Sequence, residues 1–178
     1  MNPDLVLRRE LPGDEEPARA LHDAAFGIPE HAGHSAETVL LDGLRADDDV
    51  LDALTLVADL HGELVGHVVC SRASLGEGSC VALGPIGVRP DHQGQGIGSA
   101  LVSAVLVTAD QRGEPCVVLL GDPGWYAHFG FQPAAAHGIR SPHPWDERHF
   151  QVKRLAAWRP ELAGPFRYAP AFDRLPSP

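Results

Sequence analysis

The stretch RPDHQGQGIGSALVSAVL, Arg89–Leu106, decides how the rest of the chain is read. Gly94, Gly96 and Gly98 alternate with Gln95 and Ile97, and an apolar run follows at once. Ile97, Ala100, Leu101, Ala104 and Val105 share one face of a 3.6-residue period, which predicts an amphipathic helix stopping near Arg112-Gly113. Glycine is a costly residue at the mouth of a helix unless the backbone needs positive φ or a ligand must come close. The first turn of a helix has unpaired N–H groups and a partial positive charge, so it suits a phosphate. A bare alternation of glycines fits a flexible helix lead-in equally well.

Two phosphate-binding patterns compete for this loop. A P-loop needs Lys followed by Ser or Thr after its last glycine, and here Ser99-Ala100 follow Gly98. A dinucleotide site needs G-x-G-x-x-G close behind a strand and an acid at the end of the next strand. Asp122 stands where that acid would be, but the spacing is G-x-G-x-G and Arg89–Gln93 separate the strand from the first glycine.

The strand before the loop, ALGPIGV (Ala82–Val88), is interrupted by Gly84, Pro85 and Gly87. Proline donates no ladder hydrogen bond and glycine marks bulges, so this strand should splay from a neighbour and leave backbone groups unpaired. An extended, amide-bearing ligand arm could pair with them as an added strand. An ordinary bulged edge strand is the plainer alternative.

Upstream, Ala53–Leu75 reads as a hairpin turning at His61-Gly62, and Ser79–Val88 as the next antiparallel strand. Asp4–Glu10 reads as the first strand. Asp14 is positioned to cap a helix reaching Phe26. Gly27–Ser35 is a loop, and Ser35 or Thr38 caps a second helix through Leu40, Leu41 and Leu44, ending at the solvated acids Asp47–Asp49. Downstream, Pro115–Leu120 is a strand of the kind buried on both faces, joined to the preceding strand by a right-handed parallel crossover. A short helix from Pro123 to Phe129 closes at Gly130, and strands follow at Phe131–Ala134 and about His149–Leu155. The result is a mixed α/β fold, mostly antiparallel, with helices on both faces and a splay at the glycine loop. One domain over residues 1–178 is expected, with a proline-rich extension of loop or extended chain from about Arg159.

Composition sets outer limits. Hydrophobic residues make up 44%, enough to build a core. A net charge of −10 argues against a nucleic-acid partner and leans toward a neutral or cationic one, although acidity also serves solubility alone. No apolar run is long enough for a membrane span, and the N-terminus has no secretory segment, so a cytoplasmic protein is expected. Cys70, Cys80 and Cys116 lie apart in apolar runs and read as buried free thiols. His31, His34, His137, His143 and His149 lack zinc spacing on defined elements and read as solvated loop residues, so no metal is expected.

Taken together, these residues resemble the GCN5-related N-acetyltransferase (GNAT) superfamily. Its pattern Gln/Arg-x-x-Gly-x-Gly/Ala is matched by Gln93-Gly94-Gln95-Gly96-Ile97-Gly98, preceded by a similar strand end and turn in Ile86–His92. A second family element, an aromatic short helix ending in Gly-Phe, is matched by Tyr126-Ala127-His128-Phe129-Gly130-Phe131. The resemblance covers Leu54 to about Phe131 well, fits the beginning loosely and is only general after Ala134. It implies an acyl-CoA N-acyltransferase fold and transfer of an acetyl group from acetyl-CoA to an amine of a small molecule or peptide. It also implies that Gln93, Gly94, Gln95, Gly96, Ile97 and Gly98 cradle the pyrophosphate, that Ile86, Gly87 and Val88 pair with the pantetheine arm, and that Tyr126 is the general acid. Val81–Val88 contains no acid where many members have their base, leaving Glu77, His67 and Asp122 as weak candidates beside a water-relayed route. Many members are dimers, which leaves a homodimer open. Two other readings stay open at this point: a non-catalytic acyl-CoA sensor on the same fold, and a nicotinamide-dependent oxidoreductase using Asp122. Acceptor specificity is expected in the Gly27–Ser35 loop and the His137–Glu147 segment.

Overall fold

The computed structural model describes residues 2–175. Strands β1 (Leu5–Arg9), β2 (Leu56–Leu60), β3 (Glu63–Leu75), β4 (Gly78–Val88), β5 (Cys116–Leu120), β6 (Gln132–Pro133), β7 (Phe150–Arg154) and β8 (Phe166–Arg167) form one sheet. Its order is β1-β2-β3-β4-β5-β7-β6, with β8 beside β3. Only β4 and β5 run parallel. The α-helices are α1 (Glu15–Phe26), α2 (Ala36–Ala46), α3 (Ile97–Gln111) and the short α4 (Pro123–Tyr126).

The period-2 alternation of the strands divides the core between the helices. On β2, Leu56 and Ala58 face α3 through Ile97, Leu101 and Val105, whereas Val57 joins Leu21, Leu41 and Leu44 of α1 and α2. The β2–β3 hairpin turns at His61 (φ 56°) and Gly62 (φ 86°), the left-handed pair a two-residue loop of this hand requires. Ser35 caps α2, its hydroxyl accepting from the Thr38 amide at 3.1 Å.

Three sequence expectations change. Asp14 occupies the first position before α1 without capping it; its carboxylate accepts instead from Arg8 and from the Leu11 amide at 2.8 Å. A strong cation nearby outcompetes the local helix amides. β5 is buried as far as Leu119, but Leu120 is 46% exposed because β4 has parted from it by that point. The tail from Arg159 packs on the sheet, but not as loop or extended chain alone: Phe166 pairs with Leu75 in the sheet and is buried, and 3₁₀ turns occupy Pro160–Leu162 and Pro170–Arg174. The last three residues of that tail lie outside the described residues.

Candidate functional site

The site begins where two parallel strands stop pairing. β4 and β5 are in register only at Val81↔Val117 and Ala82↔Val118. Beyond this, Gly84 and Pro85 together sit opposite Val69, where the β3–β4 register shifts, so β4 carries the bulge and swings away. Gly84 adopts φ 140°, a conformation essentially confined to glycine. The outcome is a wedge walled by Leu83–Val88 on one side and the end of β5 on the other.

The ladder fixes which groups face that wedge. Arg89 N–H donates to Val65 O at 3.0 Å, and the register pairs Val88 with Gly66, Gly87 with His67 and Ile86 with Val68. Antiparallel pairs alternate between bonded and non-bonded, so Gly87 is tied to β3 while Ile86 and Val88 turn their backbone N–H and C=O groups into the wedge. The Val88 carbonyl is taken by the Gln93 side-chain amide at 3.0 Å, which folds the turn back against the strand end. The Val88 N–H points into the opening.

The wedge leads to the N-terminus of α3. Gly94 (φ 72°) and Gly96 (φ 84°) are left-handed, and a Cβ at either would meet nothing within 4 Å. Their need for glycine is therefore conformational, and the space above them is open. Ala100 is the first helix residue to donate to a preceding carbonyl, that of Gly96, leaving the amides of Ile97, Gly98 and Ser99 directed at solvent. The structure thus brings the motif glycines and the strand end Ile86–Val88 to one continuous surface.

Tyr126 closes the far side. Asp122 caps α4 through the Gly124 amide at 2.9 Å and Pro123 opens the helix, which aims Tyr126 back at β5. Gly121 is obligatory here, since a Cβ would fall 2.3 Å from a Tyr126 ring carbon. Trp125, Phe129 and Phe131 surround the ring at 4.6 to 6.4 Å between centroids, and burial pushes the phenol up to about 12. Trp125 in turn lies 3.6 Å from where a Gly98 Cβ would stand, so α4 bridges β5 and α3.

One of the candidate bases does not reach this surface. Glu77 sits in the β3–β4 turn, at the opposite end of β4 from Val88, roughly 30 Å away along the strand. Asp122 caps α4 through one carboxylate oxygen, which accepts from the Gly124 amide. His67 is fully buried on the α1 side, directly across from Gly87, with its Nδ1 2.8 Å from His22 Nε2. His22, its buried partner on α1, did not figure in the sequence reading. Its signal was its place one turn after Ala18 on the buried stripe of α1.

Around the site, the segment after β6 forms a pocket of about 440 Å³ with Ile139, Trp145 and Phe150 as apolar lining and Arg140, His143 and Glu147 as its polar groups. A larger groove of about 610 Å³ runs between α1 and the β2–β3 hairpin, but Arg8 and Arg89 there are both engaged by carboxylates. Among the described residues, no cluster of three metal-ligating side chains occurs and no helix is long and apolar enough to cross a membrane.

Comparison with known proteins fits this geometry. Residues 16–131 match the model of the acetyltransferase (GNAT) family. The uncharacterized N-acetyltransferase YhbS of Escherichia coli is 34% identical over 85% of this chain and 88% of its own length. The crystal structure of E. coli YhbS in complex with CoA superposes with a TM-score of 0.86 at 32% identity, covering 98% of this chain and 96% of that one. A GNAT acetyltransferase from Brucella melitensis in complex with acetyl-CoA gives a TM-score of 0.76 at 30% identity over 95% of this chain and 98% of that one. By family model, sequence and fold alike, this chain belongs to the GNAT acetyltransferase family.

Proposed function

We propose that the chain is an acetyl-CoA-dependent N-acetyltransferase that moves the acetyl group to an amine by direct attack on the thioester. The observation that carries this reading is the opening between β4 and β5, which presents unpaired backbone groups and runs without a break to the free amides of α3. A pyrophosphate fits against Gln93–Gly98, where positive-φ glycines keep side chains clear. The amide-bearing arm of the donor fits Ile86–Val88 as an added strand. The two relatives whose solved structures hold CoA or acetyl-CoA support the donor.

Acetyl-CoA supplies the activated acyl carbon. The protein's part is position and charge. The Val88 N–H is placed to hydrogen-bond the thioester oxygen, and such a bond strengthens as the oxygen becomes an oxyanion. Tyr126 faces the leaving sulfur as a hydrogen-bond donor. Its phenol holds its proton far more tightly than a thiol does, so the thiolate is steadied by the bond and takes its proton from the amine side. The pocket at Ile139–Phe150 and the Gly27–Ser35 loop are the natural walls for the acceptor.

Calorimetric titration with acetyl-CoA, with NAD as control, tests the donor. Binding at micromolar Kd without a response to NAD is expected. Thiol release from acetyl-CoA with a panel of primary amines then separates an enzyme from an acyl-CoA sensor: tight binding with no turnover of any amine favours the sensor. No acetyl-CoA binding would overturn both.

A further inference from the structure

The described chain buries one polar cluster that the functions above leave unused. His22 on α1 and His67 on β3 are both fully buried, with Nε2 of the first 2.8 Å from Nδ1 of the second. His67 Nε2 faces Glu10 Oε1 at 3.5 Å, and Glu10 is ion-paired with Arg45 of α2. His67 Nε2 meets Glu10 as a charge contact without a hydrogen bond, and at the other end His22 Nδ1 likewise has no hydrogen-bond partner among the described residues. It lies 3.0 Å from where a Cβ on Gly87 would stand, between the wedge-facing residues Ile86 and Val88.

The charges fix the protons. Glu10 is a carboxylate paired with Arg45, and its oxygen 3.5 Å from His67 Nε2 favours hydrogen on that nitrogen. That makes His67 the Nε2–H tautomer and leaves its Nδ1 as an acceptor. His22 must then donate from Nε2, and its Nδ1 is a bare lone pair. A buried acceptor with no partner, aimed at the backbone of a binding strand, needs a donor from outside the chain. Gly87 is what lets it approach. The Phe26 ring stacks on His22 at 5.9 Å between centroids and is itself 45% exposed.

We propose that His22 Nδ1 is the proton acceptor for the attacking amine, with His67 and Glu10 behind it as positioning residues; this rests on the transferase reading. In the step, an N–H bond of the acceptor ammonium breaks and its proton bonds to His22 Nδ1. The His22 Nε2 proton passes to His67 Nδ1, and the His67 Nε2 proton to Glu10. The freed nitrogen lone pair forms the bond to the thioester carbon, the carbon–sulfur bond breaks, and the departing thiolate takes the second amine proton. After the product leaves, the relay runs in reverse: Glu10 returns its proton to His67 Nε2, the His67 Nδ1 proton returns to His22 Nε2, and the His22 Nδ1 proton passes to water entering the emptied site.

The surroundings suit a relay better than a lone base. Burial, and to a lesser extent the charge of Arg45, lower His22 to about 4 against a smaller opposite pull from Asp23. Burial, His22 and Arg45 lower His67, with Asp14 opposing. Both rings are therefore neutral and ready to accept at neutral pH, yet neither is a stable resting place for a proton. Glu10, raised by its own burial, is the better terminus.

Long-range proton–nitrogen NMR on the labelled protein reads the tautomers directly. Both rings are expected as Nε2–H, with the pattern disturbed in Glu10→Gln; a His22 Nδ1–H form at neutral pH would overturn the chain whatever the activity. In kinetics, His22→Asn and Glu10→Gln are compared with the parent on the best amine among free amino acids, spermidine and arylalkylamines. A loss of kcat of about 10²-fold at neutral pH is expected for His22→Asn, recovering roughly tenfold per pH unit as the neutral amine accumulates, with unchanged acetyl-CoA Kd. Profiles parallel to the parent's at every pH would sink the base role while leaving the transferase reading intact. Should His22→Asn not fold, Glu10→Gln carries the same comparison. A parent that binds acetyl-CoA and acetylates nothing in the panel counts against the transferase reading and this step together.

Discussion

His22 Nε2 lies 2.8 Å from His67 Nδ1, so α1 is tied to β3 by a hydrogen bond between two imidazoles that never meet solvent. This has a consequence for stability. The unfolded chain titrates histidine near 6.5, whereas folded His22 titrates at about 4 and His67 well below its ordinary value. Below pH 6.5 the unfolded state thus binds more protons than the folded one. The stabilisation is complete above pH 6.5 and is lost as pH falls toward 4. His22 alone accounts for about 2 kcal/mol between pH 7 and pH 5 by linkage. Urea unfolding at those two pH values should show at least this drop, and a smaller one in His22→Asn. Equal stability at both would mean that the folded rings take up protons as readily as those of the unfolded chain.

The glycines at the mouth of α3 should separate into two behaviours. Gly96 sits at φ 84°, so Ala there is strained and should lower stability by about 1 kcal/mol as well as weakening acetyl-CoA binding. Gly98 lies inside the helix with Trp125 at ordinary contact distance, 3.6 Å. Ala should be tolerated or stabilise by up to about 1 kcal/mol, while its methyl narrows the approach to the free amides. Paired thermal-shift and calorimetric measurements test this. Equal losses of stability and affinity in both variants would remove the case for a binding role at Gly98.

These glycines also mark the limit of what the sequence made legible. The wedge and the loop are written in local signals: Gly84-Pro85 cannot stay in a regular ladder, and G-x-G before an apolar 3.6 period cannot be a strand. The α3 helix, the hairpin at His61-Gly62 and the aromatic turn at Tyr126 follow for the same reason. What stayed hidden is long-range. His22 and His67 are 45 residues apart, and nothing near either announces the other. Asp14 looked like a cap because its best partner, Arg8, comes from an adjoining strand rather than from the helix. The tail read as loop or extended chain because of its prolines, whereas its buried aromatics decide where it goes.

Phe166 makes that last point measurable. It pairs with Leu75, is 1% exposed, and packs against Phe150 at 5.4 Å and Tyr168 at 4.6 Å. Phe166→Ala should cost about 3–5 kcal/mol, since the ring is fully buried in the cluster formed with Phe150 and Tyr168. The melting temperature should fall by roughly 10 °C for a chain of this size. By contrast, Arg174→Ala removes an exposed ion pair with Asp47 and should stay within about 1 kcal/mol. A Phe166→Ala protein melting like the parent would show that the tail is dispensable.

Tyr126 should divide cleanly into packing and chemistry. The ring is 7% exposed and fills the space between Gly121, Trp125 and Phe131, so Tyr126→Ala opens a cavity and should destabilise by about 3–5 kcal/mol. Tyr126→Phe keeps that packing and removes only the hydroxyl. Stability and acetyl-CoA affinity should stay close to those of the parent, while kcat falls by about tenfold or more through loss of the hydrogen bond to the leaving sulfur. Gly121→Ala is an independent check, because its methyl cannot coexist with the ring where it now stands. That variant should lose kcat with Tyr126 still present, and combining it with Tyr126→Phe should add little further loss. Full activity in Tyr126→Phe would return this residue to the core, where its buried, high-pKa phenol is merely an aromatic with a polar tip.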